Sequence, residues 1–90
     1  MHIRLTAGTT LTNVEGKDVL FSVKSGDSYG LNETAARMLR LGLEAELEAV
    51  VDRLADEYGV ERKEIRDDFE TLARELVQLK FVLVASGQGG

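Results

Sequence analysis

The stretch Val19-Leu20-Phe21-Ser22-Val23-Lys24-Ser25-Gly26-Asp27-Ser28-Tyr29-Gly30-Leu31-Asn32 decides the fold. Val19, Phe21 and Val23 alternate with Leu20 and Ser22, the period-two pattern of a strand with one strongly apolar face. Lys24-Ser25-Gly26-Asp27 then gathers turn-forming residues. Ser28 to Leu31 is short enough for a second strand, with Tyr29 and Leu31 on the same side. Asn32 closes the run as a helix N-cap, because its side-chain oxygen can accept from a backbone N–H of the first helical turn. Strand, turn, strand and capped helix follow one another without a linker.

Upstream, Thr9–Val14 is rich in β-formers, and Glu15-Gly16-Lys17-Asp18 reads as a turn. The expected layout is a three-stranded meander over Thr9–Val14, Val19–Lys24 and Ser28–Leu31. Met1–Gly8 shows no decisive period. Downstream, the helix opened by Asn32 carries Ala35, Met38, Leu39 and Leu41, and Gly42 is the expected stop, being free to adopt positive φ. A second helix is expected over Glu44–Tyr58, with Leu47, Val50, Val51, Leu54 and Tyr58 on one stripe and Gly59 ending it. Its start has no Ser, Thr, Asp or Asn cap. A third helix is expected over Arg62–Lys80, with Ile65, Phe69, Leu72, Leu76 and Leu79 facing the core. Phe81–Val84 supplies a short final strand, and Ser86–Gly90 reads as a flexible tail. The sequence therefore predicts an α+β fold, a three-stranded antiparallel meander followed by three helices, in a single domain over residues 1–85 with a tail over 86–90.

Composition narrows the chemistry. A chain of 90 residues has room for one core and hardly for a deep catalytic cleft as well. With 43% hydrophobic and 30% charged residues it has the balance of a folded, soluble domain. Having no cysteine, it has no disulfide, thiolate metal site or thiol nucleophile, which suits a cytoplasmic setting. No apolar run approaches a membrane span, and no basic segment precedes an apolar stretch as in a secretion signal. The formal net charge of −5 would repel a phosphate backbone unless the cations were clustered, and they alternate with acids instead.

Few residues offer catalysis. His2, the one histidine, sits near a terminus where ligands and bases are seldom held in place. No nucleophile is paired with a base. Asp67, Asp68 and Glu70 form an acidic knot, but neighbouring residues on a helix diverge by about 100°, so Asp67 and Asp68 cannot converge on one ion. Asp68 lies at the border of the apolar stripe, four residues before Leu72, where it can face a partner. Neither Gly26 nor Gly30 belongs to a phosphate-binding glycine motif. No cofactor or metal site is expected.

Two features point to binding instead. Gly30, inside a strand, marks either a bulge or the close approach of another backbone. The apolar stripe of the third helix widens in its second half, where Ala73 and Val77 flank Leu72, Leu76 and Leu79, which means either deeper burial or an apolar groove. The segment Ser28-Tyr29-Gly30-Leu31 carries neither the charge nor the proline that usually guards a strand edge, with only Asp27 before it. An open edge beside a groove is the arrangement that takes an extended peptide as an added strand.

The run from Val19 through Asn32 to Glu33-Thr34-Ala35-Ala36 resembles the signature of the PQQ biosynthesis protein D family. Val51-Asp52-Arg53-Leu54-Ala55-Asp56-Glu57-Tyr58-Gly59-Val60 is similar to that family's second helix, and Asp68-Phe69, Leu72 and Leu76 to its third. The resemblance covers about Gly16 to Val84. Two departures stand out: Leu43-Glu44-Ala45-Glu46 lacks a Ser or Thr cap, and Lys80 stands near where the family often has Gly. The resemblance implies a recognition element for ribosomally made, modified peptides, similar to winged helix-turn-helix domains. It implies a leader segment docked as an added antiparallel strand, with Asp27, Ser28, Tyr29, Gly30 and Leu31 as the docking edge and Asp68, Phe69, Leu72, Ala73 and Leu76 as the groove wall. The implied partners are the precursor's leader and a separate enzyme. That enzyme is the cysteine protease of a split lasso-peptide peptidase, the favoured alternative, or a radical enzyme of PQQ-type cofactor synthesis served by a chaperone. A winged-helix DNA-binding protein is the competing class, but the second helix sets Arg53 against Glu44, Glu46, Glu48, Asp52, Asp56 and Glu57, and the third mixes both signs.

Overall fold

The computed structural model describes residues 1–85, so the expected tail at 86–90 lies outside the described residues. The elements are β1 (His2–Leu5), β2 (Thr9–Val14), β3 (Lys17–Ser22), β4 (Ser28–Gly30), α1 (Glu33–Glu44), α2 (Leu47–Tyr58), α3 (Arg62–Gln78) and β5 (Val82–Ala85). The antiparallel meander β2-β3-β4 followed by three helices is the winged helix-turn-helix-like α+β arrangement expected from the sequence.

Each turn of the meander has a local cause. Val14 pairs with Lys17, leaving Glu15 and Gly16 as a two-residue loop with φ of 52° and 85°. Positive φ at both centres gives the twist that matches two antiparallel strands. This tight loop starts β3 at Lys17 rather than Val19. At its far end, the Gly26 N–H donates to the Ser22 carbonyl (2.8 Å) and the Ser22 N–H to the Asp27 carbonyl (2.9 Å), so the chain turns at Ser22 and not at Lys24. Val23, which the alternation placed in the strand, is exposed in the turn. Gly30 pairs regularly with Val19 in β4, without a bulge.

The segment without a clear period, Met1–Gly8, contributes β1, which pairs antiparallel with β5 from His2↔Ala85 to Leu5↔Val82. This two-stranded clasp was half anticipated, since the sequence offered β5 but no partner for it. It also serves α2. No side chain caps that helix, but the Leu47 N–H donates to the Met1 carbonyl at 3.0 Å, so a backbone group from the far end of the chain satisfies one donor that a Ser or Thr would have taken.

Asn32 caps α1 as expected, its Oδ1 accepting from the Ala35 N–H at 2.8 Å. Gly42 does not stop the helix, which continues to Glu44. A Cβ at Gly42 would lie 2.7 Å from Phe69 Cζ and 3.0 Å from Ile3 Cδ1, so the glycine is there to let α3 and β1 approach. Gly59 does end α2, with φ of 68°. The end of α3 is closed by two bonds, Phe81 N–H to the Leu76 carbonyl (2.9 Å) and Lys80 N–H to the Val77 carbonyl (2.9 Å), with buried Leu76 and Phe81 as the accompanying apolar residues. Lys80 sits at the left-handed position of this closure, φ 67°, which a glycine would occupy without strain.

The core lies between the meander and the helices, centred on Leu20, Leu39, Val50, Val51, Leu54, Leu76 and Val82, all fully buried. Tyr58 and Leu79, read as core-facing from their spacing, are 43% and 48% exposed because each ends its helix beyond the packed face.

Candidate functional site: the β4 edge and the α3 groove

Among the described residues, β4 is an edge strand, with β3 on one side and no strand on the other. Its inner hydrogen bonds fix which groups are free. The Leu31 N–H donates to the Asp18 carbonyl at 2.9 Å, and the Asp27 carbonyl accepts from Ser22, so residues 27 and 31 turn their backbone groups toward β3. Antiparallel strands alternate inward and outward, so Tyr29, opposite Leu20, also bonds inward. The N–H and C=O groups of Ser28 and Gly30 therefore point outward along the free edge.

Side chains alternate the other way. Tyr29 projects toward the helices, where its Oη donates to Glu75 Oε2 at 2.8 Å and its ring meets Phe81 edge-on, centroids 6.1 Å apart. The hydrogen bond to Glu75, then partial burial, then the carboxylate's charge raise the phenol pKa above its ordinary value of 10.0. The bond crosses the space between β4 and α3, and two hollows lie toward opposite ends of the strand. One, about 340 Å³, is lined by Tyr29, Asn32, Thr34, Ala35, Met38, Asp68, Thr71, Leu72 and Glu75. The other, about 440 Å³, lies beyond Asp27 between the β3–β4 turn and the end of α3, lined by Thr6, Ala7, Ser22, Lys24, Ser25, Asp27, Val77, Leu79, Lys80, Val82 and Leu83.

The residues proposed from sequence divide by depth. Asp27, Ser28 and Gly30 are exposed on the edge, Tyr29 is half-buried beside it, and Asp68 and Leu72 stand on the α3 wall. Leu31, expected on the edge, is buried, and Phe69, Ala73 and Leu76, expected on the wall, lie in the core beneath the groove. The correction has a simple cause: a stripe drawn only from apolar spacing selects the residues most deeply packed. The wall itself is polar at its centre, formed by Asp68, Thr71 and Glu75, with Leu72 half-buried among them. Thr71 and Glu75 were missed, although they follow Asp68 at offsets that put all three on one helix face. The widened stripe resolves both ways, with Ala73 in the core and Val77 39% exposed in the second hollow.

The acidic knot is dispersed. Asp67 accepts from Lys63 Nζ at 2.8 Å, whereas Asp68 lines the groove. No group of three or more His, Cys, Asp or Glu among the described residues is placed to hold a metal ion. No helix of the described residues is long and apolar enough to cross a membrane. Away from the groove, Asp18 receives two bonds from Arg40, 2.7 and 2.9 Å, and one from Asn13 Nδ2, 2.9 Å. The Arg40 guanidinium and then the Asn13 amide hold its carboxyl down at about 2. On the helices, Arg62 and Arg66 both donate to Glu48, and Arg37 to Glu57, so these cations are committed to neighbouring carboxylates.

Comparison with known proteins agrees with this architecture. No curated protein matches the sequence. Among solved structures, the chain is similar to "Lasso peptide synthetase B1 complexed with the leader peptide", with 27% identity, a TM-score of 0.87, and 93% of this chain and 100% of that chain covered. It shares its fold with "TbiB1 in Complex with the TbiA(beta) Leader Peptide", at 21% identity and a TM-score of 0.82, covering 92% and 98% of the two chains. Residues 18–82, well over half of the sequence, match the family described as "Coenzyme PQQ synthesis protein D (PqqD)", and the chain belongs to that family.

Proposed function

We propose that this chain is a non-catalytic adaptor that holds the leader segment of a ribosomally made precursor peptide and presents it to a separate processing enzyme. The observation that carries the reading is the open β4 edge, whose outward-facing Ser28 and Gly30 backbone groups border a groove walled by α3. An extended segment docked there gains backbone hydrogen bonds from the edge and side-chain selection from the groove. The likeness to a lasso peptide synthetase B1 solved with a leader peptide supports the same reading. Within it, residues 1–85 act as one recognition domain in the cytoplasm, and the receiving enzyme is the leader protease of a lasso-peptide pathway. The family's own description favours a second receiver, an enzyme of PQQ-type cofactor synthesis. Duplex DNA is disfavoured, because Arg62 and Arg66 are tied to Glu48 rather than projecting together.

The test is binding of a synthetic leader taken from a precursor encoded beside this gene, followed by amide chemical shifts. Micromolar or tighter binding with shifts concentrated around Tyr29 and Leu72 supports the adaptor. A leader that leaves those amides unmoved, or a strong low-salt mobility shift with duplex DNA, overturns it.

A further inference from the structure

The two hollows toward opposite ends of β4 differ in charge. The one toward α1 has Asp68 and Glu75 on its wall and no Lys or Arg among its lining residues. The one toward the β3–β4 turn has apolar walls, Val77, Leu79, Val82 and Leu83, with Lys24 and Lys80 at its rim against the single acid Asp27. Among the described residues, Asp68, Lys24 and Lys80 take part in no ion pair, so these charges are available to an incoming chain.

Strand geometry converts this asymmetry into a sequence rule. In an added antiparallel strand, the residue opposite Tyr29 points to the same face as Tyr29, toward α3. So do the residues two before and two after it, opposite Leu31 and Asp27. Because the added strand runs against β4, the residue opposite Leu31 comes first and meets the acidic hollow. The residue opposite Asp27 comes four positions later, roughly 13–14 Å along the strand, and meets the apolar hollow. A cation placed first is attracted by Asp68 and Glu75, and an anion there is repelled.

We propose that the groove selects an extended segment bearing a basic side chain followed four residues later by an aliphatic one, and that this order fixes the direction and register of docking. The inference rests on the peptide-docking function proposed above. Opposite charge at one hollow and apolar fit at the other also penalise the reversed segment, which would bring its cation to Lys24 and Lys80.

The experiment compares three fluorescein-labelled peptides in an alternating Thr/Val host, by anisotropy at low and moderate salt. One carries Lys and, four residues on, Leu; one carries Glu in place of Lys; one carries Leu first and Lys four residues on. The first is expected to bind roughly three- to tenfold more tightly than the other two, with the difference shrinking as salt rises. Asp68→Lys, at an exposed position, leaves Glu75 offset by a new cation and is expected to abolish the preference between the Lys and Glu peptides. Equal affinity of the three overturns the charge rule while leaving edge docking intact. Tighter binding of the reversed peptide overturns the direction. No measurable binding of any of them overturns this inference, and only if a leader from a neighbouring gene also fails to bind does the docking function beneath it fall too.

Discussion

The phenol of Tyr29 and the carboxylate of Glu75, 46 residues apart in sequence, form the one side-chain hydrogen bond between β4 and α3 among the described residues, at 2.8 Å. It is the proton of the phenol that makes the bond, so its loss converts a tie into two adjacent negative charges. With the folded-state pKa raised above 10.0, the bond contributes fully below that pH and is lost as pH rises through the raised value. In a Tyr58→Phe background, absorbance titration at the phenolate band should show a midpoint above 10. Glu75→Gln should move it back toward 10, since the neutral amide removes the charge that opposes ionisation. A midpoint unmoved by Glu75→Gln would refute the contact.

Edge and ladder separate at single-residue resolution. Ser28→Pro and Gly30→Pro each delete an outward N–H and should weaken leader binding with little loss of stability. Tyr29→Pro deletes an inward N–H that pairs with β3 and should destabilise the sheet, by about 1 kcal/mol or more. Thermal melts alongside titrations of leader check the pattern. Equal loss of binding from all three, in step with stability, would mean that the free edge is not the docking element.

Acid should unfold the protein partly through Asp18. Its carboxyl is depressed from 3.8 to about 2 by Arg40 and Asn13, so its stabilising contribution is complete above about pH 4 and is lost as pH falls toward 2. Urea midpoints measured through that window should fall in the native protein. They should fall less steeply in Arg40→Met, which starts lower because the paired charge is already gone.

Two backbone positions give opposite signs for opposite exchanges. Gly42→Ala places a Cβ against Phe69 and Ile3, and the crowding, about 1–3 kcal/mol, should outweigh the roughly 0.5–1 kcal/mol that alanine gains inside a helix. Lys80→Gly relieves a left-handed non-glycine residue and should leave stability unchanged or raise it by up to about 1 kcal/mol. Denaturant unfolding of both variants measures the signs directly.

The sequence announced those features whose cause is local. Asn32 as a cap, Gly59 as a stop and the order of strands and helices follow from residues within a few positions of one another. The groove's outline was legible from the unguarded edge and from Asp68 beside the stripe. What was hidden depends on distant partners. Gly42 looks like a helix end until Phe69 and Ile3 are brought against it. Met1 cannot be recognised as the acceptor for Leu47 before β1 and β5 are paired. Phe69, Ala73 and Leu76 share the spacing of the wall but not its depth. Glu75 shows its connection to β4 only once Tyr29 reaches it.

The β1–β5 clasp has a topological corollary. Because His2 lies opposite Ala85, polypeptide entering and leaving this domain does so at neighbouring points. Both strands stand apart from the β4 edge in the sheet order. A unit wired in this way can be spliced into a surface loop of a larger protein as a side branch, parting the host chain by about the width of one strand pair, roughly 5 Å.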